Sequence, residues 1–164
     1  MGSSFTPSVV GAFSARNIVG DTTGTAVPAG YIGEVLSASR AYAWVSLTSG
    51  VALNVLASPL SLTAGVWCIT GAVGLDGSGN TTAFQIACSK TSATIPATAA
   101  FTIPVAGEVW VNQTTTSPTA QNPTQILPAV TVSISSTTSF YLVAKCTVSG
   151  ATTVFGSLSA IRIA

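Results

Sequence analysis

Apolar side chains recur at every second residue in short runs along most of this chain, and glycine, proline, serine and threonine separate the runs. A period of two is typical of a β-strand with one buried face, whereas a helix has a period near 3.6. No stretch keeps helical spacing for three turns. The pattern predicts strands over residues 32–38, 43–48, 51–57, 65–75, 82–90, 101–111, 125–135, 140–148 and 153–163. Short strands in this number predict an all-β fold, an antiparallel sandwich or barrel.

The segments between the strands favour turns and loops. Residues 75–80 read LDGSGN, and their glycines and asparagine, which tolerate positive φ, predict a hairpin connection. Residues 112–123 contain a threonine run and too little apolar surface to pack, which predicts a long exposed loop. Pro104 and Pro128 fall inside two predicted strands, where proline cannot donate to the ladder. The residues expected in exposed loops are Asp76, Asn80, Asn112 and Gln121.

The first thirty residues differ from the rest of the chain. Residues 1–30 contain several glycines and prolines and show no sustained period, which predicts an N-terminal arm leading into a strand-rich domain at 31–164. An ordered arm needs a partner on which to dock. The residues expected to make that contact are Phe5, Val9, Val10, Phe13 and Arg16.

Charged residues are scarce. The 164 residues include five lysines and arginines, four acids and no histidine, and 48% are apolar. Soluble domains usually contain about a quarter charged residues, so a surface this poor in charge is expected to be buried in lipid or against protein. The most lipid-like stretch, residues 51–69, is interrupted by Asn54 and Pro59 and alternates in twos, so we expect no membrane helix. A net charge of +1 also provides no field for nucleic acid or for a membrane surface.

The last predicted strand supports self-association. Residues 153–163 have apolar side chains on both faces, and a strand of this kind is buried on both faces. A small sandwich buries the outer face of a terminal strand most readily against another subunit. The residues expected at this interface are Phe155, Leu158, Ile161 and Ile163.

The inventory of reactive side chains is poor. Without histidine, Ser-His-Asp and Cys-His arrangements and the common histidine-containing zinc sites are excluded. The four acids, Asp21, Glu34, Asp76 and Glu108, are scattered along the chain. Asp76, Ser78 and Asn80 alternate as calcium ligands do, but Thr81 occupies the position where such loops have glycine, so a plain turn is favoured. We expect no enzymatic activity, no catalytic residue, no metal and no cofactor.

A few other residues stand out from the pattern. Glu34 lies within an apolar strand, and we expect it to form a structural salt bridge with Arg40 or Arg162. The chain has three tryptophans, Trp44, Trp67 and Trp110. They are predicted to be core or interface anchors rather than a platform for sugars. It also has three cysteines, Cys68, Cys88 and Cys146. Their odd number and apolar surroundings predict buried free thiols.

Six segments, in order, resemble a group of small virion proteins of tailed phages. They read GYIGEVLSA at 30–38, VSLTSG at 45–50, LSLTAGVW at 60–67, TGAV at 70–73, FYLVA at 140–144 and FGSLSAIR at 155–162. The resemblance covers the chain from about Gly30 to its end. It implies a trimeric jelly roll similar to the complement globular head and tumour-necrosis-factor fold, displayed on a virion surface, and it brings no catalytic residues.

The size of the chain bears on which virion part this resemblance implies. A tail fibre needs a long shaft, whereas the sequence from Met1 leaves room for an arm of thirty residues. We therefore expect a capsid decoration or head-fibre protein whose arm docks on the major capsid protein. Two alternatives remain open: a receptor-binding tip that contacts host surface glycan through residues 76–80 and 112–123, and a free carbohydrate-binding module with a solvent-facing aromatic patch.

Overall fold

The described part of the chain is built from antiparallel strands. The structure, a computed structural model, describes residues 26–77, 80–96, 109–113 and 123–164, with the backbone alone at 41–44 and 109–113. These residues form nine strands and no helix, which confirms the predicted all-β class. The strands are β1 (Val35–Ser46), β2 (Ala52–Asn54), β3 (Leu60–Leu62), β4 (Gly65–Gly77), β5 (Thr81–Ser89), β6 (Val109–Gln113), β7 (Thr124–Ile134), β8 (Thr138–Val148) and β9 (Thr152–Arg162).

The strands form two sheets, between which the chain passes repeatedly. One sheet has the order β1-β9-β4-β7, and we call it the β9 sheet. The other, the β8 sheet, has the order β2-β8-β5-β6, and β3 also pairs with β8. Every pairing is antiparallel. Because the last long strand lies between β1 and β4, the end of the chain is central to its sheet.

One hydrophobic core fills the space between the sheets. Alternate residues of each long strand point inward, as the period of two predicts. The largest fully buried side chains are Trp67, Ile69, Leu75, Leu127 and Leu158 from the β9 sheet, and Leu62, Phe84, Ile86, Phe140 and Leu142 from the β8 sheet. Burying each large apolar side chain contributes roughly 1.5–3 kcal/mol, so this shared core holds the two sheets together.

The connection at 75–80 is not the hairpin that its turn residues predict. β4 continues to Gly77, so Asp76 lies within the strand, and β5 starts at Thr81. The two strands belong to different sheets. Glycine and asparagine allow the chain to turn, but they do not determine whether the next strand pairs with the previous one or crosses to the opposite sheet.

Two strands predicted at 32–38 and 43–48 form a single strand. β1 runs from Val35 to Ser46, and its pairing with β9 shifts register between Arg40 and Val45. The strand predicted at 51–57 is shorter, since β2 covers three residues. For the strand predicted at 101–111, the described part is β6, which extends to Gln113. The other long strands begin and end within two residues of the prediction.

Strand β7 accommodates a proline at the edge of its sheet. In the pairing with β4, Ile69 lies opposite Val130 and Gly71 opposite Leu127, so Pro128 and Ala129 form a bulge. Both bulge residues are exposed. An edge strand tolerates a residue without an N–H group, and the extra residue lets Leu127 and Val130 both face the core.

Different parts of the chain lie at the two ends of the sandwich. At one end, which we call the base, Gly33 donates its N–H to the carbonyl of Arg162 at 2.8 Å, and Val66 donates to Ala164 at 2.7 Å. At the opposite end, the distal end, backbone hydrogen bonds join the connections between strands. They link Leu47 to Thr152, Gly50 to Cys146, Leu75 to Pro123 and Ser149 to Asn80. The segment from the predicted arm thus enters at the base.

Candidate interaction surfaces

A buried ion pair lies at the base. The Nε of Arg162 donates to Oε2 of Glu34 at 3.0 Å, and both side chains are almost fully buried. The same oxygen accepts the backbone N–H of Gly30 at 2.8 Å. Of the two partners predicted for Glu34, Arg162 is confirmed, since Arg40 instead donates to the carbonyl of Val55 at 3.2 Å. We call the group formed by Gly30, Glu34 and Arg162 the clasp.

The environment of the clasp favours the ionised carboxylate. The hydrogen bond from Gly30 and the guanidinium of Arg162 hold the pKa of Glu34 below its ordinary value, although burial acts in the opposite direction. A carboxyl group with a lowered pKa in the folded state adds stability above the pKa of the unfolded chain. That contribution is lost in acid, as the pH falls through the pKa of the folded state.

The guanidinium of Arg162 is held on its other sides by the turn before β4. Its Nη1 donates to the carbonyl of Ala64 at 2.7 Å and its Nη2 to Oγ1 of Thr63 at 2.5 Å. Its Cζ lies 4.3 Å from the ring centroid of Trp67, a cation–π contact. A Cβ on Gly65 would overlap Nη1. Sequence reasoning missed this turn, although a glycine two residues before a buried tryptophan was a usable signal for close packing.

The outer face of the β9 sheet is almost free of charge. Its outward positions carry mainly serine, threonine, alanine and glycine, with Asp76 as the charged residue among them, at the distal end. Near the base, Val35 lies directly opposite Ile161 in the register of β1 and β9. These two side chains are 60% and 41% exposed, and Ile163 is 44% exposed. Exposed aliphatic side chains therefore lie together on β1 and at the end of β9 near the base.

Strand β9 divides the four residues predicted for a subunit interface between two faces. Leu158 is fully buried in the protein's own core, so it is not available to a partner, and that prediction is wrong. The period of two separates the faces but does not indicate which of them turns inward. Ile161 and Ile163 are exposed, and Phe155 is half-buried because its ring lies over Gly74, where a Cβ would overlap it.

Part of the outer face of the β8 sheet is covered by the chain itself. Ala87 and Val143 lie in this face, and neither is exposed. Ile95, from the segment that follows β5, packs against them together with Tyr141. The side chain of Asn54 anchors that segment: its Nδ2 donates to Oγ of Ser92 at 2.8 Å, and its Oδ1 accepts the N–H of Ala93 at 2.7 Å. Ala93 has a φ of 48°, which is uncommon for a residue with a Cβ.

The residues predicted for exposed loops have different positions. Asp76 is half-buried within β4, and Asn80 is exposed. Asn112 lies in β6 opposite Gln85, so the first two residues of the predicted loop belong to a strand. Gln121 lies outside the described residues, as do the five predicted docking residues, Phe5, Val9, Val10, Phe13 and Arg16.

The remaining candidates fit structural roles. Trp67 is completely buried, which agrees with a core anchor and removes it from any sugar-stacking platform, whereas the side chains of Trp44 and Trp110 lie outside the description. The three cysteines form no disulfide with one another, and two of them are buried while Cys68 is half-buried. Where side chains are described, no cluster of three cysteines and acids could hold a metal ion. No helix in the described ranges is long and apolar enough to cross a bilayer.

Comparison with protein families and with curated proteins gives no match for this chain. No protein-family model matches it, and no curated protein is significantly similar to it. The functional argument therefore depends on the two ends of the sandwich, the clasp and the two outer faces.

Proposed function

We propose that this chain is a non-enzymatic structural protein of a phage virion, a trimeric capsid decoration or head-fibre protein. In this proposal residues 1–30 dock on the major capsid protein, and the head at 31–164 projects from the virion surface. The observation that carries the proposal is the polarity of the head. The chain enters it at the base, and several connections between strands meet at the opposite end.

The strand order supports a jelly roll for the head. A jelly roll consists of two sheets whose strands come from two Greek keys, so that the chain crosses repeatedly between them. In the β9 sheet, β1 and β9 are neighbours, as are β4 and β7, while β8 and β5 pair in the other sheet. This is the pattern that two interleaved Greek keys produce.

The outer face of the β9 sheet supports a trimer. Small polar and aliphatic side chains give a surface without the charges that usually keep a protein monomeric, and Val35, Ile161 and Ile163 supply exposed apolar area. We therefore propose Phe155, Ile161 and Ile163 as interface residues, with Val35 added and Leu158 withdrawn. A closed ring of three copies would cover this face in each of them.

Removing the arm tests the docking role. A chain that lacks residues 1–25 keeps the turns around Gly30, so its head should sediment as the full chain does while binding to shells is lost. Binding is measured by co-sedimentation with undecorated shells and by electron cryomicroscopy of the particles. In the full chain, Phe5→Asp with Phe13→Asp should weaken binding, and Ser8→Asp is the matched control. Normal decoration by the truncated protein contradicts the proposal.

The distal end favours one alternative function. Asn80 is exposed there, and the serine, threonine and glycine residues of the neighbouring connections offer the hydrogen-bonding groups that sugars use. In this alternative the protein is the receptor-binding tip of a tail fibre, and the distal connections contact host glycan. The purified protein would then bind host cells and compete with phage adsorption, and Asn80→Ala would weaken both effects. A decoration protein shows neither.

A further inference from the structure

The clasp, together with the turn that holds Arg162, joins three separate parts of the chain at the base. Glu34 belongs to the segment between the predicted arm and β1, Arg162 ends β9, and Thr63 and Ala64 form the turn before β4. Through Oε2, Glu34 also reaches back to the N–H of Gly30. The segment that continues the arm is therefore fastened to the two central strands of the β9 sheet.

The path of this segment is closely defined. Gly30 and Gly33 have φ angles of 87° and 94°, which residues with a Cβ rarely adopt, so each reverses the chain locally. Tyr31 donates its N–H to the carbonyl of Pro28 at 3.3 Å, and Glu34 donates to Tyr31 at 3.0 Å. These two turns end where Arg162 donates its N–H to the carbonyl of Glu34 at 2.9 Å. The Glu34 side chain links these turns to Arg162, because it accepts hydrogen bonds from both Gly30 and Arg162.

Stability alone is a weak reason for a charged group at this place. A buried ion pair loses hydration on folding, and apolar residues of similar volume are often as stabilising. This chain has five basic and four acidic residues in total, and its composition elsewhere favours apolar contacts. An ion pair with a planar guanidinium differs from apolar packing because it requires one geometry.

We propose that Glu34 and Arg162 are positioning residues whose clasp fixes the direction in which the N-terminal arm leaves the head. The inference rests on the proposed function in one respect, since it assigns the arm to docking. An arm bound to a shell then holds the head at a defined angle, so that copies around one site meet with their β9 sheets correctly oriented.

Substitution of Glu34 by its neutral isostere tests the clasp. In Glu34→Gln the amide oxygen can still accept from Gly30 and Arg162, but the group is neutral, so both hydrogen bonds lose the charge that strengthens them. We expect hydrogen exchange of the Gly30 amide to become at least tenfold faster, while the amides of Val73 and Val154 in the core change less than about twofold. Lys145→Gln, which also replaces one charge with glutamine, is the matched control and should change neither set.

Distance measurements test the direction of the arm. Spin labels at Ala26→Cys and Thr147→Cys, with Cys68→Ser in the background, report the separation of the arm from β8 when labelled chains are diluted into unlabelled chains. The full-length protein should give a narrow distribution and Glu34→Gln a broad one. Arg162→Lys retains the charge that pairs with Glu34, so its distribution should lie between the two.

The outcomes separate this inference from the proposed function. A distribution of equal width in the full-length protein and in Glu34→Gln overturns the positioning role, and so does exchange that accelerates equally at Gly30 and in the core. These measurements use the free protein. Failure of the full-length protein to bind any shell would overturn the docking role while leaving the positioning result intact.

Discussion

The outer faces of the two sheets contrast within one small domain. Part of the outer face of the β8 sheet is covered by the chain itself, because the segment after β5 folds back and Ile95 packs on Ala87 and Val143. Asn54 holds that segment with two hydrogen bonds. The β9 sheet has no comparable cover among the described residues, although Val35 and Ile161 are exposed on it.

The two sheets differ in what covers the apolar side chains on their outer faces. The β8 sheet covers its apolar outer positions with a local segment of its own chain. On the β9 sheet the exposed aliphatic side chains lie beside small, uncharged residues, a composition that is typical of a surface used in protein association. The outer face of the β9 sheet, which we call the bare face, is therefore the one on which the proposed self-association would depend, and the predictions below test this contrast.

The largest expected effect concerns the two sides of β9. Leu158→Ala should lower the free energy of unfolding by about 2–5 kcal/mol, because it opens a cavity in the shared core. Ile161→Ala, three residues away on the outer face, should change the unfolding of a single chain by less than about 0.5 kcal/mol. Denaturant unfolding at low protein concentration measures both. Equal effects of the two substitutions would contradict the assignment of Leu158 to the core and of Ile161 to the outer face.

The next prediction concerns assembly. Ile161→Lys with Ile163→Lys puts two charges on the bare face, and the desolvation of these charges should weaken association at least a hundredfold. Sedimentation at micromolar concentration should show trimers of the unchanged protein and single chains of the variant. Val51→Lys, at a residue 52% exposed near the distal end, is the control and should remain trimeric. A single-chain species of the unchanged protein would contradict the assembly itself.

A smaller effect is expected at the covered face. Asn54→Ala removes both hydrogen bonds that hold the segment after β5, and we expect a loss of about 1–2 kcal/mol with faster hydrogen exchange at Ala87 and Val143. Ser61→Ala removes an exposed hydroxyl contact with Ser139 and should have no measurable effect. If hydrogen exchange at Ala87 and Val143 is unchanged in Asn54→Ala, apolar packing alone holds the segment after β5 in place.

The smallest effect is expected in thiol labelling. Burial raises the pKa of Cys146 to about 11, so at pH 8 it should react far more slowly than Cys68, which is half-buried on the bare face. A thiol with a raised pKa adds stability below the pKa of the unfolded chain, and that stability is lost as the pH rises through the folded value. Mass spectrometry after timed alkylation gives both rates. Cys68 should react faster in the Ile161→Lys, Ile163→Lys variant, because the proposed association would shield it in the unchanged protein.

Local alternation predicted much of the fold. The runs that became β4, β5, β7, β8 and β9 were identified within two residues, because each has one face in the core. The pairing of strands was not predictable in the same way: the turn chemistry at 75–80 fits a hairpin, but β4 and β5 belong to opposite sheets. Which sheet a strand joins depends on contacts distant in sequence.

The candidate surfaces were also predicted only in part, because they too depend on contacts distant in sequence. An acid within an apolar strand must find a partner, so the salt bridge of Glu34 followed from burial, but the choice of Arg162 over Arg40 required the register of β1 and β9. For Leu158 the alternation gave two faces without their direction. The cover from residues 91–96 had no signal in the sequence, because it depends on Asn54, almost forty residues earlier.

The bulge at Pro128 and Ala129 affects how copies of this protein behave at high local concentration. A protein with so few ionic groups has little electrostatic repulsion to keep its copies apart, and the unpaired edge of a sheet invites endless strand-by-strand polymerisation. Strand β7 contains a proline, which has no N–H group, and a bulge, and both features disfavour pairing with a second β7. Many copies could then stand side by side on a lattice without fusing into fibrils.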